Sequence, residues 1–238
     1  MLRHQLASLV RNPPTALDVR VRVFFSHDDP ATENLLAAFA AHRPPGIEWH
    51  WHALPTPQLM RRTIGRNLAA RRSPADWLWF TDCDVLFGAG CLDALADRLR
   101  GQSAVLVHPG IEWTTDLLRD SAIQRASVDA PLDCEPNLTF TPHAVTRATG
   151  PLQIVRGDVV RRVGYCAATP AFLTPATHWC KTREDRVFRW LLGTQGQGLA
   201  IPRVQRIRHL SKGRYGPTAR LTALRQSVRR AKDDWLRR

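Results

Sequence analysis

Two aspartates one residue apart, Asp82 and Asp84, stand just after the apolar run Trp77-Leu78-Trp79-Phe80. Carboxylates held this close repel each other, and burial raises the cost. A divalent cation relieves both penalties. Hard oxygen donors suit Mg²⁺ or Mn²⁺, which bind through one or two carboxylates and fill their remaining positions with substrate phosphates. The pattern therefore predicts a cation that grips a diphosphate. The plainer alternative is a polar turn in which Asp84 caps the helix that follows.

The chemistry needs a scaffold that brings Asp82 and Asp84 to an edge. Residues 19–26, VRVRVFFS, alternate and then turn apolar, which predicts a strand. HDDP follows as a turn, with Asp28 or Asp29 as the helix cap. Helices are predicted over 31–42, 57–72, 90–100 and 183–192, and strands over 47–54, 77–80, 103–108 and 199–207. Residues 152–165 read as a strand followed by a short helix. Such alternation predicts an α/β fold, a mostly parallel twisted sheet flanked by helices and Rossmann-like in plan. Ligands of such sheets sit beyond the carboxyl ends of the strands, where Asp82 and Asp84 fall. Residues 109–150 show weak periodicity and are expected as an insertion with a short helix at 115–126. Residues 1–18 are expected to be irregular, broken by Pro13-Pro14. The expected organisation is one domain over 19–216 and a basic amphipathic helix over 217–238.

Composition narrows the function. The chain has 238 residues with 44% hydrophobic and 23% charged, an ordinary globular balance. The formal net charge is +13 and only Lys181, Lys212 and Lys232 are lysines, so arginine supplies most of the positive charge. Arginine forks match phosphate and carboxylate groups. No helix-turn-helix, zinc or aromatic-platform signature accompanies that charge, so no specific nucleic-acid partner is expected. The five cysteines lack CxxC spacing and read as reduced thiols. No run approaches the length of a membrane span, and MLRHQLASLVRNPP lacks a secretory apolar stretch, so a cytoplasmic location is expected. His50 and His52 alternate on one strand face. Two histidines without a third ligand seldom hold zinc, so packing or nucleoside contact is expected there.

The segment TIGRNLAARRSPADWLWFTDCDVLF resembles the inverting family-2 glycosyltransferases of the GT-A fold, with Arg66-Asn67 ahead of a strand that ends in Asp82-Cys83-Asp84. GPLQIVRGDVVRRVGY, REDRVFRWLLGTQG and IPRVQRIRHL extend the resemblance in order over about residues 19–212. It implies metal-dependent transfer of a sugar from a nucleoside-diphosphate-sugar to an acceptor hydroxyl, with inversion, as in polysaccharide biosynthesis. It implies Mg²⁺ or Mn²⁺ on Asp82 and Asp84, with His209 completing the shell or touching the diphosphate. Asp185, or less favourably Glu184, is implied as the base. Arg66 and Asn67 are implied on the donor side with Asp82.

Two departures from the family bear on the donor. The first strand ends in Ser26-His27-Asp28-Asp29, and the second in HWHALP without a carboxylate. The nucleoside is therefore open, with Asp28 or Asp29 as substitute contacts. The acceptor class is equally open: a saccharide, a lipid-linked molecule or another hydroxyl compound.

A competing reading is a haloacid-dehalogenase-type phosphatase or phosphotransferase using Asp82 as nucleophile, since that chemistry also places Asp-x-Asp after an apolar strand. The tail 217–238 sets Leu221, Leu224, Val228 and Trp235 near one helical face among arginines. That pattern suits peripheral contact with an anionic membrane on its inner face, or docking on the domain itself.

Overall fold

The alternating run VRVRVFF forms β1 (Val19–Phe25), which pairs in parallel with β2 (Ile47–Ala53) from Val19 opposite Ile47 to Phe25 opposite Ala53. This computed structural model describes residues 1–119, 123, 137–179, 183–210, 227–231 and 235. Between the two strands runs α2 (Pro30–Ala40). Of the two aspartates in the turn it is Asp29 that caps it, accepting from the Thr32 backbone N–H. The helix expected over 57–72 is two pieces, α3 (Thr56–Leu59) and α4 (Arg62–Arg72), because Arg61 leaves helical geometry at φ −111°, ψ 84°.

β3 (Trp77–Phe80) and β4 (Val85–Phe87) flank the two aspartates. The chain continues through α5 (Cys91–Leu99), β5 (Leu106–Pro109), β6 (Ile111–Thr114) and β7 (Thr141–Ala144). It then passes through β8 (Gln153–Arg156), α6 (Gly157–Val163), α7 (Glu184–Leu191), β9 (Gln197–Leu199) and β10 (Val204–Arg206).

The fold is α/β, but the expectation of a mostly parallel sheet needs correction. Besides the β1–β2 pair there are two four-stranded sheets, in the orders β3-β8-β5-β9 and β4-β10-β6-β7. Three pairings are parallel and four antiparallel among the described residues. The reason is local. β8 enters antiparallel between β3 and β5, and β6 and β7, within the segment expected as an insertion, form an antiparallel pair. The strand expected over 199–207 is also divided. Pro202 and Arg203, the latter at φ 54°, turn the chain so that β9 joins one sheet and β10 the other.

β3 sits between two cores. Leu78 and Phe80 pack with Leu106, Val155, Val160, Tyr165 and Phe188, while Trp77 and Trp79 lean on the cluster of Val85, Leu92, Val107 and Ile154. That explains why WLWF is apolar on both faces.

Residues 1–18 are not irregular throughout. α1 (Leu2–Arg11) buries Leu6 and Ala7 against Phe25, Leu36 and Phe39. The spacing Leu2, Leu6, Leu9 is a helical stripe that the following prolines obscured. Residues 115–119 are not helical, and Leu118 bridges to His209. The rest of the expected 115–126 helix lies outside the described residues, except for Ile123, which is helical and buried. Of the basic tail, residues 227–231 and Trp235 are helical, with Val228 and Trp235 exposed; its other positions, Leu221 and Leu224 among them, lie outside the described residues. Among the described residues no helix is long and apolar enough to cross a membrane.

Candidate active site at the crossing between two sheets

Residues 81–84 carry the chain out of one sheet and into the other, so Asp82 and Asp84 sit where the two part. Their backbone is pinned at both ends. The Asp82 carbonyl accepts from Gln5 Nε2 at 2.8 Å and from the Val85 N–H at 3.2 Å. The Asp84 carbonyl accepts from the Ile207 N–H at 2.9 Å. Ser8 Oγ accepts from the Phe87 N–H at 3.0 Å, and Asn12 donates to the Phe87 carbonyl at 3.0 Å. α1 thus holds the whole β3–β4 passage.

The Asp82 carboxylate is bound by arginine. Arg62 and Arg66 stand four residues apart on α4 and so project from one face. Arg62 Nη1 reaches both Asp82 oxygens, at 2.7 and 2.8 Å, and Arg66 Nη2 reaches Oδ1 at 2.9 Å. Burial alone would push this carboxyl up; the guanidinium groups of Arg66 and Arg62 outweigh it and hold it below the usual carboxylate range. Arg62 also donates to Glu184 Oε1, from Nε at 2.9 Å and from Nη2 at 2.5 Å. One arginine therefore ties the end of β3 to the start of α7.

Arg66 continues inward. Its Nη1 donates to Tyr165 Oη at 2.8 Å, Tyr165 donates to Gln153 Oε1 at 2.8 Å, and Gln153 Nε2 donates to the Asp185 carbonyl at 3.1 Å. The Arg66 guanidinium also lies 5.2 Å from the Tyr165 ring centroid. Tyr165 is fully buried, and its hydroxyl is pushed up by that burial, so it stays neutral. Gly164 delivers it. This residue has φ 67° and ψ 179°, a combination open essentially to glycine, and a Cβ there would meet Asn67 Oδ1 at 2.5 Å. That same Asn67 oxygen accepts the Tyr165 N–H at 3.0 Å, so Asn67 holds this turn in place.

Asp84 has other neighbours. Its Oδ2 lies 3.9 Å from His209 Nε2, and both side chains are about one-fifth exposed, 20% and 23%. Next to them the buried Glu112 pairs with Arg206 at 2.7 Å. Burial pushes the Glu112 carboxyl up; Arg206 works against it and nearby Asp84 adds to it.

The two candidate bases differ sharply. The Glu184 side chain is 2% exposed and committed to Arg62, whereas the Asp185 side chain is 26% exposed and has Arg189 at 3.6 Å. Asp185 and Arg62 flank Gly150, with Asp185 Cβ 3.8 Å and Arg62 Nη2 3.7 Å from where a side chain would begin there.

The fold therefore gathers Asp82, Arg66, Glu184 and Asp185 around Arg62, and sets Asp84, two residues after Asp82, beside His209. Asp82, expected as a metal ligand, accepts from arginine on both oxygens. Asp28 is not drawn in. It is exposed at the carboxyl end of β1 and accepts from Ser26 Oγ at 3.2 Å and Thr56 Oγ1 at 2.5 Å. His50 and His52 stack in parallel with centroids 6.4 Å apart, and His52 stacks again on Phe24. They pack rather than form a cluster.

Among the described residues no group of three or more His, Cys, Asp or Glu side chains stands ready to hold a metal. The donors present are one carboxylate and one imidazole, a mixed set that suits Mn²⁺ better than Mg²⁺ and leaves the other positions to water and phosphate oxygens. The set fits a substrate-assisted cation. A nucleophilic role for Asp82 fits less well, since both its oxygens accept from arginine, Oδ1 from Arg62 and Arg66 and Oδ2 from Arg62, and such charge-assisted hydrogen bonds make a carboxylate a poorer nucleophile.

Sequence reasoning missed Arg62, Gln5, Gln153 and Glu112. Arg62 is one arginine among many. Gln5 and Gln153 act through tertiary hydrogen bonds that leave no local pattern. No protein-family model matches the chain, and a search of curated proteins finds no match to it.

Proposed function

We propose that the protein is a metal-dependent glycosyltransferase of GT-A type that moves a sugar from a nucleoside-diphosphate-sugar to an acceptor hydroxyl with inversion. One observation carries the reading. Arg62, which binds Asp82 at the end of β3, shares the surroundings of Gly150 with the solvent-reachable carboxylate Asp185, and Asp84, in the same turn as Asp82, forms a carboxylate–imidazole pair with His209.

Inverting transfer needs a base on one side of the anomeric carbon and charge neutralisation on the other. Asp185 is the base: it accepts the proton of the acceptor hydroxyl, a role its exposure allows and Glu184's burial denies. Asp84 and His209 would hold a divalent cation, which would supply positive charge toward a diphosphate leaving group. Asp82 keeps acceptor capacity on Oδ2, which takes only the Arg62 hydrogen bond, and so orients a donor hydroxyl. Arg62 and Arg66 keep that carboxylate ionised and fixed.

The test is release of nucleoside diphosphate from a panel of sugar nucleotides with Mn²⁺ present. Turnover of one donor, abolished by chelation and by Asp84→Asn, is the expected result. A panel without turnover or binding in the presence of metal would overturn the reading.

A further inference from the structure

On the outer face of α7 lies a cleft of about 650 Å³ lined by Thr146, Arg147, Arg183, Arg186, Arg189 and Trp190, among others. Arg183, Arg186 and Trp190 recur at helical spacing, so they share one face of the helix. Arg147 approaches from the loop after β7.

The cleft is unbalanced in charge. Arg147, Arg183 and Arg186 are exposed, and no carboxylate among the described residues pairs with any of them. Arg189 differs. It is buried, its Nε bonded to Gln195 Oε1 at 3.0 Å and its Nη1 to the Ala148 carbonyl at 2.6 Å, with that same Nη1 3.6 Å from Asp185 Oδ2. Trp190 is 77% exposed, the most exposed large hydrophobic side chain of the described residues. An indole left this open costs solvation free energy unless a flat apolar surface covers it.

Three guanidinium groups that no described carboxylate pairs with, beside an exposed indole, recognise a specific chemistry. Arginine forks match phosphate or carboxylate, and an indole face covers the C–H face of a sugar ring. Arg189 contributes to the cleft and touches the proposed base, so the cleft adjoins the point where an acceptor hydroxyl must be presented. We infer that the cleft formed by Arg147, Arg183, Arg186 and Trp190 binds an anionic saccharide, the acceptor of the transfer. The acceptor assignment rests on the glycosyltransferase reading; the saccharide binding does not.

The test is calorimetric titration without donor or metal, so an inactive enzyme does not affect it. The probes are tetragalacturonate, its neutral methyl ester, and a phosphorylated mannose tetrasaccharide with its dephosphorylated form. An anionic probe should bind at least about tenfold more tightly than its neutral partner at about 0.1 M salt. Which of the two anionic probes binds identifies carboxylate or phosphate as the recognised group. Arg147→Gln with Arg186→Gln should lower that affinity about tenfold. Trp190→Ala should weaken saccharide binding but leave inorganic tripolyphosphate binding unchanged. Equal binding of charged and neutral probes, or wild-type affinity in the double variant, would overturn the inference. So would an equal loss of tripolyphosphate binding in Trp190→Ala, or tighter binding of random single-stranded DNA than of any saccharide. Saccharide binding without any sugar-nucleotide turnover would leave the cleft standing and remove only its acceptor role.

Discussion

Asp82 shows how a carboxylate at a strand end is made tolerable by arginine. Its folded pKa is depressed, so its ion pairs stabilise the fold above about pH 4, the unfolded value, and that stability is lost as pH falls through the folded one. Asp82→Asn should therefore melt well below wild type near pH 7, with the gap closing under acid conditions below about pH 4. Melting curves across that range check it; a constant gap would contradict it. Arg62→Ala removes the guanidinium bound to both the buried Glu184 and Asp82 and should cost about 3–5 kcal/mol, read from denaturant unfolding. Asp185→Asn should lower kcat by about 10²–10⁴-fold while melting close to wild type, because its only described ion pair is long. Part of this site was legible in the sequence. Asp82, Asp84, Glu184, Asp185 and His209 stand out as acidic pairs and a strand-end histidine. Their partners do not. Arg62 looks like any other arginine until the fold turns α4 toward both β3 and α7.

At the scale of elements, α1 decides how rigidly the Asp82–Asp84 turn is held. Gln5→Ala removes a hydrogen bond to the Asp82 carbonyl and should cost about 1 kcal/mol. Leu6→Ala empties a fully buried position and should cost about 2–5 kcal/mol. If the turn positions the cation, Gln5→Ala should also reduce Mn²⁺-dependent activity more than Leu6→Ala does, when each is compared at temperatures where it stays folded. Periodicity located β1, β2, β3, α2 and α7 because their apolar residues repeat locally. It mislaid α1, whose stripe is short and runs into Asn12-Pro13-Pro14, and it joined β9 to β10 across Arg203. Strand direction was not legible either: it is fixed by which edge a returning strand finds, and β8 finds its place between β3 and β5 from the opposite direction.

Across the whole molecule, a net charge of +13 coexists with a site whose own charges largely cancel. Arg62 and Arg66 answer Asp82 and Glu184, while among the described residues no carboxylate pairs with Arg147, Arg183 or Arg186, which line the cleft beside α7. Part of the excess charge thus lines the cleft beside Asp185, where the proposed function would use it to attract an anionic acceptor. The central claim is that Asp84 and His209 hold a cation for a diphosphate. Electron paramagnetic resonance of free Mn²⁺, titrated with protein and UDP, GDP, CDP or ADP, tests it directly. One of these diphosphates should draw Mn²⁺ onto the wild-type protein, and Asp84→Asn and His209→Ala should each weaken that uptake at least about tenfold. Equal uptake by wild type and Asp84→Asn, or no uptake with any of the four, would contradict the account.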